Sequence, residues 1–336
     1  MKKLVNNPDV VVDEMIDGYL KAFPTLLEKV EGSGRALVAK QSLHGNGKVG
    51  IVIGGGSGHE PAFMGYIGRG MADGVAVGNI FASPPPQPIV EATEAVNQGN
   101  GVVYIYGNYA GDIMNFGMAS DLADMEHNIK VESIIVRDDV ASAPKSEKEK
   151  RRGIAGEFFV TKVAGAASAR GDDLSKVVRL TNKANESVRS MGVGLTPCAL
   201  PQTGKPSFVL GDNEMEIGLG HHGEPGVEKG PLQQADDVCD RLIDDILNDG
   251  DLKAGDDVAV LVNGLGSTTQ MELFIMFRRV EQRLSEKQIN IHRSYVGNYS
   301  TSMEMGGCSV TLMKVDEELK ALIDAPAECP LYAQYE

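Results

Sequence analysis

The sequence has few cysteines, no long apolar run and no excess of basic charge. Its four cysteines, Cys198, Cys239, Cys308 and Cys329, stand far apart without a Cys-x-x-Cys pair, which argues against a zinc site or a redox couple. No stretch approaches the roughly 18 apolar residues that a membrane span needs, and the start of the chain lacks a signal-peptide pattern. We therefore expect reduced structural thiols in a cytoplasmic protein.

The charge balance is acidic, with 32 Lys and Arg against 47 Asp and Glu and a formal net charge of −15. This balance disfavours nucleic acid and anionic membranes as partners. Hydrophobic residues make up 42% and charged residues 24%, as in ordinary globular proteins. A chain of 336 residues is near the upper limit for one hydrophobic core, so two domains are expected.

Short apolar strand patterns alternate with helical patterns along the first half. A helix is predicted over residues 11–23, and strands over 49–53, 102–106 and 131–136 are separated by helices at 89–96 and 114–125. Runs that are apolar on both faces are typical of strands covered by helices on both sides. We expect the charged stretch 145–152 to be an exposed loop, because a core element could not bury those charges unpaired.

The second half repeats the alternation after a further helical region from 158 to about 188. Predicted strands lie at 208–210, 215–219, 258–262, 291–296 and 310–315, and predicted helices at 235–247 and 271–284. The fold class is therefore α/β, with two α/β domains, each a mixed sheet flanked by helices. We place an N-terminal domain at residues 1–190 and a C-terminal domain at 191–336.

A glycine-rich segment, G-G-G-S-G-H-E-P at residues 54–61, follows the predicted strand that ends at Ile53. Such a turn lets backbone N–H groups converge on a small polar ligand at the carboxyl end of a strand. It is neither a P-loop nor a good dinucleotide-binding fingerprint, and a plain tight turn explains the glycines about as well. His59 favours a functional interpretation, because a titratable side chain beside backbone donors can act as an acid or a base.

A second segment, G-N-Y-A-G-D at residues 107–112, also follows an apolar strand. Asp112 alone is best explained as a cap of the helix predicted to begin near Ile113. Capping and function can coincide. If the two strands are parallel neighbours, Asp112 faces the same crevice as His59.

The third segment, G-L-G-H-H-G-E-P-G at residues 218–226, contains adjacent histidines. A metal site is disfavoured, because neighbouring residues of an extended segment point to opposite sides and no further ligands complete a set. A histidine in a Gly-Pro turn can instead be a nucleophile, since its neutral imidazole nitrogen adds to a carbonyl carbon. The residues alone leave this role open.

These segments, together with G-N-I-F-A-S-P at 78–84, N-G-L-G at 263–266 and G-N-Y-S-T-S-M-E-M at 297–305, resemble the substrate-binding K subunit or domain of dihydroxyacetone kinases. The likeness spans nearly the whole chain. It implies a two-domain α/β fold, a homodimer, and a short ketose held between the domains.

The resemblance also implies residue roles. His222, rather than His221, matches the histidine that adds covalently to the ketone carbon. His59 and Asp112 match the residues that act on the hydroxyl receiving phosphate, and Gly56, Ser57 and Gly58 match the backbone that holds the substrate. Addition to C2 is possible for a ketone and impossible for glycerol, so bond formation supplies the selectivity.

The resemblance implies that this chain binds no cofactor and no metal. The nucleotide, ADP or ATP with Mg²⁺, is expected on a partner L subunit, and phosphate comes either from ATP or from a phosphotransferase-system M protein. One position departs from the family pattern, because many members carry lysine where this chain has Gly107. A glycine there enlarges the pocket, so the four-carbon ketose erythrulose becomes a candidate beside dihydroxyacetone.

Two alternatives to the kinase subunit remain open. K-subunit-like proteins can serve as ketose-sensing co-activators of a transcription regulator, which need His222 but no base at the terminal hydroxyl. The presence of His59 and Asp112 favours the enzyme, whereas Gly107 favours the sensor. A plain small-molecule carrier is weaker, because it would have no reason to keep a nucleophile.

Overall fold

The computed structural model describes residues 2–40 and 47–335, and the chain packs as two compact units. The first comprises Met1–Val136, Glu157–Ala184 and Ala321–Glu336, and the second comprises Arg137–Gly156 and Asn185–Lys320. The sequence-based division places a single boundary after residue 190. It differs from the packing at residues 137–156, at residues 185–190 and at the C-terminal segment from Ala321, each of which packs with the other unit.

The first unit is built around a six-stranded mixed sheet within the described residues, in the order β1-β2-β4-β3-β5-β6. Its strands are β1 (Leu27–Lys29), β2 (Ala36–Ala39), β3 (Gly50–Ser57), β4 (Gly74–Ile80), β5 (Val102–Gly107) and β6 (Val131–Val136). The four strands from β4 to β6 run parallel, and β1 and β2 pair antiparallel at the edge. Parallel strands bring the carboxyl ends of β3 and β5, and the segments that follow them, to one edge of the sheet.

The described part of the chain contains eight α-helices. They are α1 (Val11–Ala22), α2 (Pro86–Val96), α3 (Ala110–His127), α4 (Glu157–Ala169), α5 (Leu174–Ser187), α6 (Ala235–Asp249), α7 (Gln270–Glu286) and α8 (Glu317–Asp324). Their starts follow local chemistry: Pro86 occupies the first position of α2, where its missing N–H costs nothing, and Thr269 forms a capping box with Glu272 at α7. Helix α4 is buried on all sides, and the ammonium of its Lys162 donates to the carbonyls of Leu322 and Ala325.

The second unit contains another six-stranded mixed sheet among the described residues, in the order β11-β10-β12-β7-β8-β9. Its strands are β7 (Val188–Thr196), β8 (Glu214–Ile217), β9 (Glu228–Pro231), β10 (Asp257–Gly264), β11 (Asn290–Gly297) and β12 (Gly306–Val315). The pair of β10 and β11 is parallel, and the other pairs are antiparallel. Apolar residues of α6 and α7 form one core with this sheet. A short pair, β13 (Ala327–Glu328) and β14 (Ala333–Gln334), lies near the C-terminus.

Several local predictions differ from the structure. Residues 208–210 form no strand, and the helical region 158–188 is two helices, α4 and α5. The stretch 145–152 is not simply an exposed loop. Residues Lys145–Lys150 form a 3-10 helix, and the next two arginines turn inward. Arg151 is 1% exposed and forms a bidentate salt bridge with Asp249. Burial is tolerated because these charges are paired.

Across residues 2–40 and 47–335, no helix has the length and apolar character that a membrane crossing needs.

Candidate functional site

The glycine-rich segment lies within β3 rather than after it, because the strand continues to Ser57, four residues beyond the predicted end. The glycines allow close packing. A Cβ added at Gly55 would lie 2.3 Å from the ring of Phe63, and one at Gly56 would lie 2.6 Å from the backbone nitrogen of Ala82. Glycine is thus required here by neighbouring groups that approach the strand closely.

His59 is buried, with 4% of its surface exposed, and its ring is held between aromatic side chains. It stacks on Phe81 at a centroid distance of 5.0 Å and meets Phe63 edge-on at 6.5 Å. The turn carrying Phe81 is tied to β3, since the Phe81 N–H donates to the Ser57 carbonyl and the Ser57 hydroxyl donates to the Gly78 carbonyl. The orientation of the imidazole is therefore set by packing within this part of the fold.

Asp112 lies in the first turn of α3 and is 8% exposed. The predicted cap is wrong: α3 begins at Ala110, three residues earlier than expected, and its N-cap is Tyr109. Strands β3 and β5 are parallel neighbours, as the prediction of a shared crevice requires, so Asp112 and His59 belong to segments that follow one sheet edge. An acidic side chain in a first helical turn is also favoured by the helix dipole.

His222 lies in the second unit, in the turn between β8 and β9, and its side chain is 25% exposed. Its Nδ1 is 2.9 Å from Oε1 of Glu224, and its backbone N–H donates to Oε2 of the same carboxylate at 2.9 Å. Burial alone would raise the pKa of Glu224, but the hydrogen bond from His222 and nearby positive charge lower it to about 2. Glu224 is therefore a carboxylate at neutral pH and accepts both hydrogen bonds.

Arg152 links this turn to the buried Asp139. Its Nε donates to Oδ2 of Asp139 at 2.9 Å, its Nη2 donates to the Gly218 carbonyl at 3.1 Å, and its Nη1 lies 3.9 Å from Oε2 of Glu224. Burial raises the pKa of Asp139 to about 6, with Arg152 opposing the shift. Asp139, Arg152, Glu224 and His222 thus form a continuous chain of polar contacts, which we name the 222 chain.

His221 is more deeply buried than its neighbour His222. It is 6% exposed, and burial lowers its pKa to about 3, so the ring is neutral. Its carbonyl accepts a hydrogen bond from the hydroxyl of Ser302. The more accessible imidazole of the two is that of His222.

Within the described ranges, no three His, Cys, Asp or Glu side chains are grouped so that they could hold a metal ion.

Comparison with known proteins places this geometry in a family. The model of the Dak1 domain matches residues 17–331, nearly the whole chain. The chain therefore belongs to the Dak1 domain family.

Two similar curated proteins and one solved structure indicate what members of the family do. The PTS-dependent dihydroxyacetone kinase 2, dihydroxyacetone-binding subunit DhaK of Listeria innocua is 45% identical over 99% of both chains. The D-erythrulose kinase of Mycolicibacterium smegmatis is 42% identical over 99% of this chain, which spans 56% of that longer protein. The dihydroxyacetone kinase operon co-activator Dha-DhaQ superimposes with a TM-score of 0.89 at 31% identity, over 96% of this chain and 99% of the other.

Sequence reasoning overlooked four residues that shape these sites. Glu224 stands in the H-G-E-P-G motif but received no role, although its spacing of two from His222 could have suggested a local contact. Arg152 belongs to the charged stretch expected to be an exposed loop, Asp139 lies outside the motifs, and Phe81 lies in the G-N-I-F-A-S-P segment without a role assigned to it. Their contacts arise from tertiary packing, which the local sequence does not reveal.

Proposed function

We propose that this chain is the ketose-binding subunit of a dihydroxyacetone kinase, a phosphotransferase that acts on an alcohol group and needs a partner subunit. His222 captures the ketose by adding Nε2 to C2, which yields a hemiaminal. The observation that carries the proposal is the partly exposed side chain of His222, whose Nδ1 lies 2.9 Å from the Glu224 carboxylate. A neutral ring protonated at Nδ1 carries its lone pair on Nε2, the form that a carbonyl addition needs.

His59 and Asp112 act on the terminal hydroxyl, and one of them accepts its proton during phosphoryl transfer. The backbone of Gly56, Ser57 and Gly58 holds the substrate. The rigid packing of β3 against Phe81 supports this assignment, because a base oriented beforehand costs less entropy when the hydroxyl is aligned for in-line attack.

In this proposal, other proteins bind and supply the phosphoryl donor. A partner L subunit carries ADP or ATP with Mg²⁺, and phosphate comes from ATP or from a phosphotransferase-system M protein. The name of the Listeria relative supports the phosphotransferase-system route. The chain itself acts as a homodimer, which light scattering at assay concentrations tests directly.

Dihydroxyacetone and erythrulose are both candidate substrates. The Listeria relative is named for dihydroxyacetone and the Mycolicibacterium relative for D-erythrulose. Gly107, the last residue of β5, carries no side chain where many relatives have lysine, and this favours the longer ketose.

The test is a coupled assay with an L subunit, a phosphoryl donor and each ketose. His222→Ala is expected to abolish turnover. His127→Ala is a matched control, since His127 is 30% exposed and its Nδ1 also contacts a glutamate, Glu94, at 2.5 Å. Full activity of His222→Ala would reject covalent capture, and robust glycerol phosphorylation would contradict the selectivity argument.

A ketose-sensing co-activator is the second candidate, favoured by the similarity to the co-activator structure. Such a protein would form the adduct without phosphorylating it. The coupled assay separates the two functions: adduct together with ketose phosphate supports the kinase subunit, whereas adduct without any turnover supports the sensor.

A further inference from the structure

We propose that Glu224 and Arg152 are positioning residues for His222: Glu224 fixes the imidazole tautomer that presents a lone pair on Nε2, and Arg152, held by Asp139, fixes Glu224. The inference rests on the proposed function, because it concerns the same histidine. It goes further in giving the 222 chain a role that can be measured apart from turnover.

The first step concerns the two contacts between Glu224 and His222. One carboxylate oxygen contacts the ring at Nδ1 and the other accepts the backbone N–H, both at 2.9 Å. Contacts to both the backbone and the ring of one residue oppose rotation of the side chain. An ionised carboxylate only accepts hydrogen bonds, so a proton resides on Nδ1, and a ring that carries one proton there has its lone pair on Nε2.

The second step is the support of Glu224 by Arg152. The guanidinium is anchored on Asp139 at 2.9 Å and on the Gly218 carbonyl at 3.1 Å, with Nη1 left to face Glu224 at 3.9 Å. A planar guanidinium can hold several acceptors in fixed directions, which the single ammonium of a lysine cannot do. Arg152 is therefore placed to set where the Glu224 carboxylate lies.

Gly220 provides independent support for a built arrangement. A Cβ at this position would lie 2.2 Å from Oε2 of Glu224 and 2.3 Å from Nη1 of Arg152. The two side-chain ends therefore occupy the space that any other residue would need. Because the obstructing atoms are ends of long side chains, alanine here displaces the pair rather than the backbone.

The chemistry explains why a carboxylate belongs at Nδ1. Nε2 donates its lone pair to the ketone carbon, an N–C bond forms, and the π pair of the carbonyl moves to oxygen, which takes a proton from solvent. The ring keeps its Nδ1 proton and becomes positively charged. The negative charge of Glu224 stabilises that cation, and hydrogen bonds to ionised groups are about twice as strong as neutral ones.

The test measures the adduct equilibrium in the intact protein. Mass spectrometry under gentle conditions follows adduct formation with dihydroxyacetone and erythrulose. Glu224→Ala is expected to weaken the adduct about 10- to 100-fold, the range for loss of a hydrogen bond to a charged group. Glu224→Gln, which keeps an acceptor oxygen without the charge, should lie between Glu224→Ala and the wild type. Arg152→Lys and Gly220→Ala should each cause a smaller loss.

Two matched controls separate positioning from general damage. Glu214→Gln alters another carboxylate of this region, which accepts the Gly211 N–H at 2.8 Å and pairs with Lys229. Gly230→Ala alters a glycine with no atom within 4 Å of the added Cβ. Both controls should leave the adduct equilibrium unchanged, and a loss in either equal to that of Glu224→Ala would overturn the proposal.

A spectroscopic readout needs no variant. In ¹⁵N NMR of the unliganded wild-type protein, recorded at a pH where the His222 ring carries a single proton, that proton should be on Nδ1, whereas a proton on Nε2 would overturn the proposal. Kinetically, Glu224→Ala should raise KM for ketose more than it lowers kcat, and an unchanged KM would refute positioning.

The adduct measurement also distinguishes failure of this inference from failure of the proposed function. If the wild type forms no adduct at all, the proposed function fails. If Glu224→Ala forms the adduct to the same extent as the wild type, only this inference fails.

Discussion

Phe81 combines an unfavourable backbone with a contact to the proposed acid or base, and the two effects can be separated by substitution. Its φ is +54°, in the left-handed region that costs a residue with a Cβ about 1–2 kcal/mol. Its ring stacks on His59 with centroids 5.0 Å apart and planes inclined by 24°. We expect the strain to be retained because the ring orients the imidazole.

The expected changes in stability and in kcat follow from the backbone strain and from the ring contact with His59. Phe81→Ala and Phe81→Gly both remove the ring, but only glycine relieves the strain of the positive φ. The free energy of unfolding of Phe81→Gly should therefore be about 1 kcal/mol higher than that of Phe81→Ala. Stacked aromatic pairs contribute about 0.5–1.5 kcal/mol. If that energy orients His59 in the transition state, kcat should fall about 2- to 13-fold in both variants.

The assays are urea unfolding for stability and the coupled kinase assay at saturating ketose for kcat. Phe81→Tyr keeps the ring and serves as the control, with near wild-type kcat. Wild-type kcat in Phe81→Ala would refute the orienting role of the ring. A Phe81→Ala variant more stable than Phe81→Gly would refute the assignment of strain.

Three further predictions concern stability and are tested by urea unfolding. Lys48→Met removes the ammonium 2.6 Å from the buried Asp73 carboxylate and should cost about 3–5 kcal/mol, much of which Asp73→Asn in the same chain should restore; an unchanged midpoint would contradict this. Gly165→Ala in α4 would place a Cβ 2.3 Å from the backbone of a neighbouring segment and should lower the free energy of unfolding by about 1–3 kcal/mol. Gly117→Ala in α3 has no atom within 4 Å of the added Cβ and should raise the free energy of unfolding by about 0.5–1 kcal/mol. The packing argument would be refuted if both variants changed the stability in the same direction. Burial lowers the pKa of His221 from 6.5 to about 3, so between these two pH values the unfolded chain binds a proton that the folded chain does not bind. The free energy of unfolding therefore falls as the pH drops through this range, by about 1.4 kcal/mol per pH unit from this residue. His221→Gln should remove that component, and an unaltered pH slope would show that His221 is not its source.

The alternation of elements could be predicted from the sequence because period and residue type carry it. The predicted strand over residues 131–136 has the same ends as β6, the predicted strand at 258–262 forms the centre of β10, and that at 310–315 forms the C-terminal part of β12. Boundaries at glycines were less reliable. The glycine run after Ile53 has the composition of a turn, but it continues β3, because the close approach of Phe63 and Ala82 requires glycine inside a strand.

Candidate site residues could be named from the sequence only where a motif contains them. His59, Asp112 and His222 could be singled out from short segments that resemble a family. Arg152 could not, because its pairing with Asp139 is formed in the folded chain and its local sequence is a run of charges typical of a solvated loop. Tertiary pairing turned that run partly inward, and no local pattern signals it.

The most direct test of the central claim is a wild-type crystal soaked with dihydroxyacetone or erythrulose, with electron density inspected at His222. The account predicts continuous density between Nε2 and C2 of the ketose, with Glu224 still on Nδ1. A ketose bound without a bond to this ring, or a ring whose Nε2 no carbonyl can reach, would contradict covalent capture.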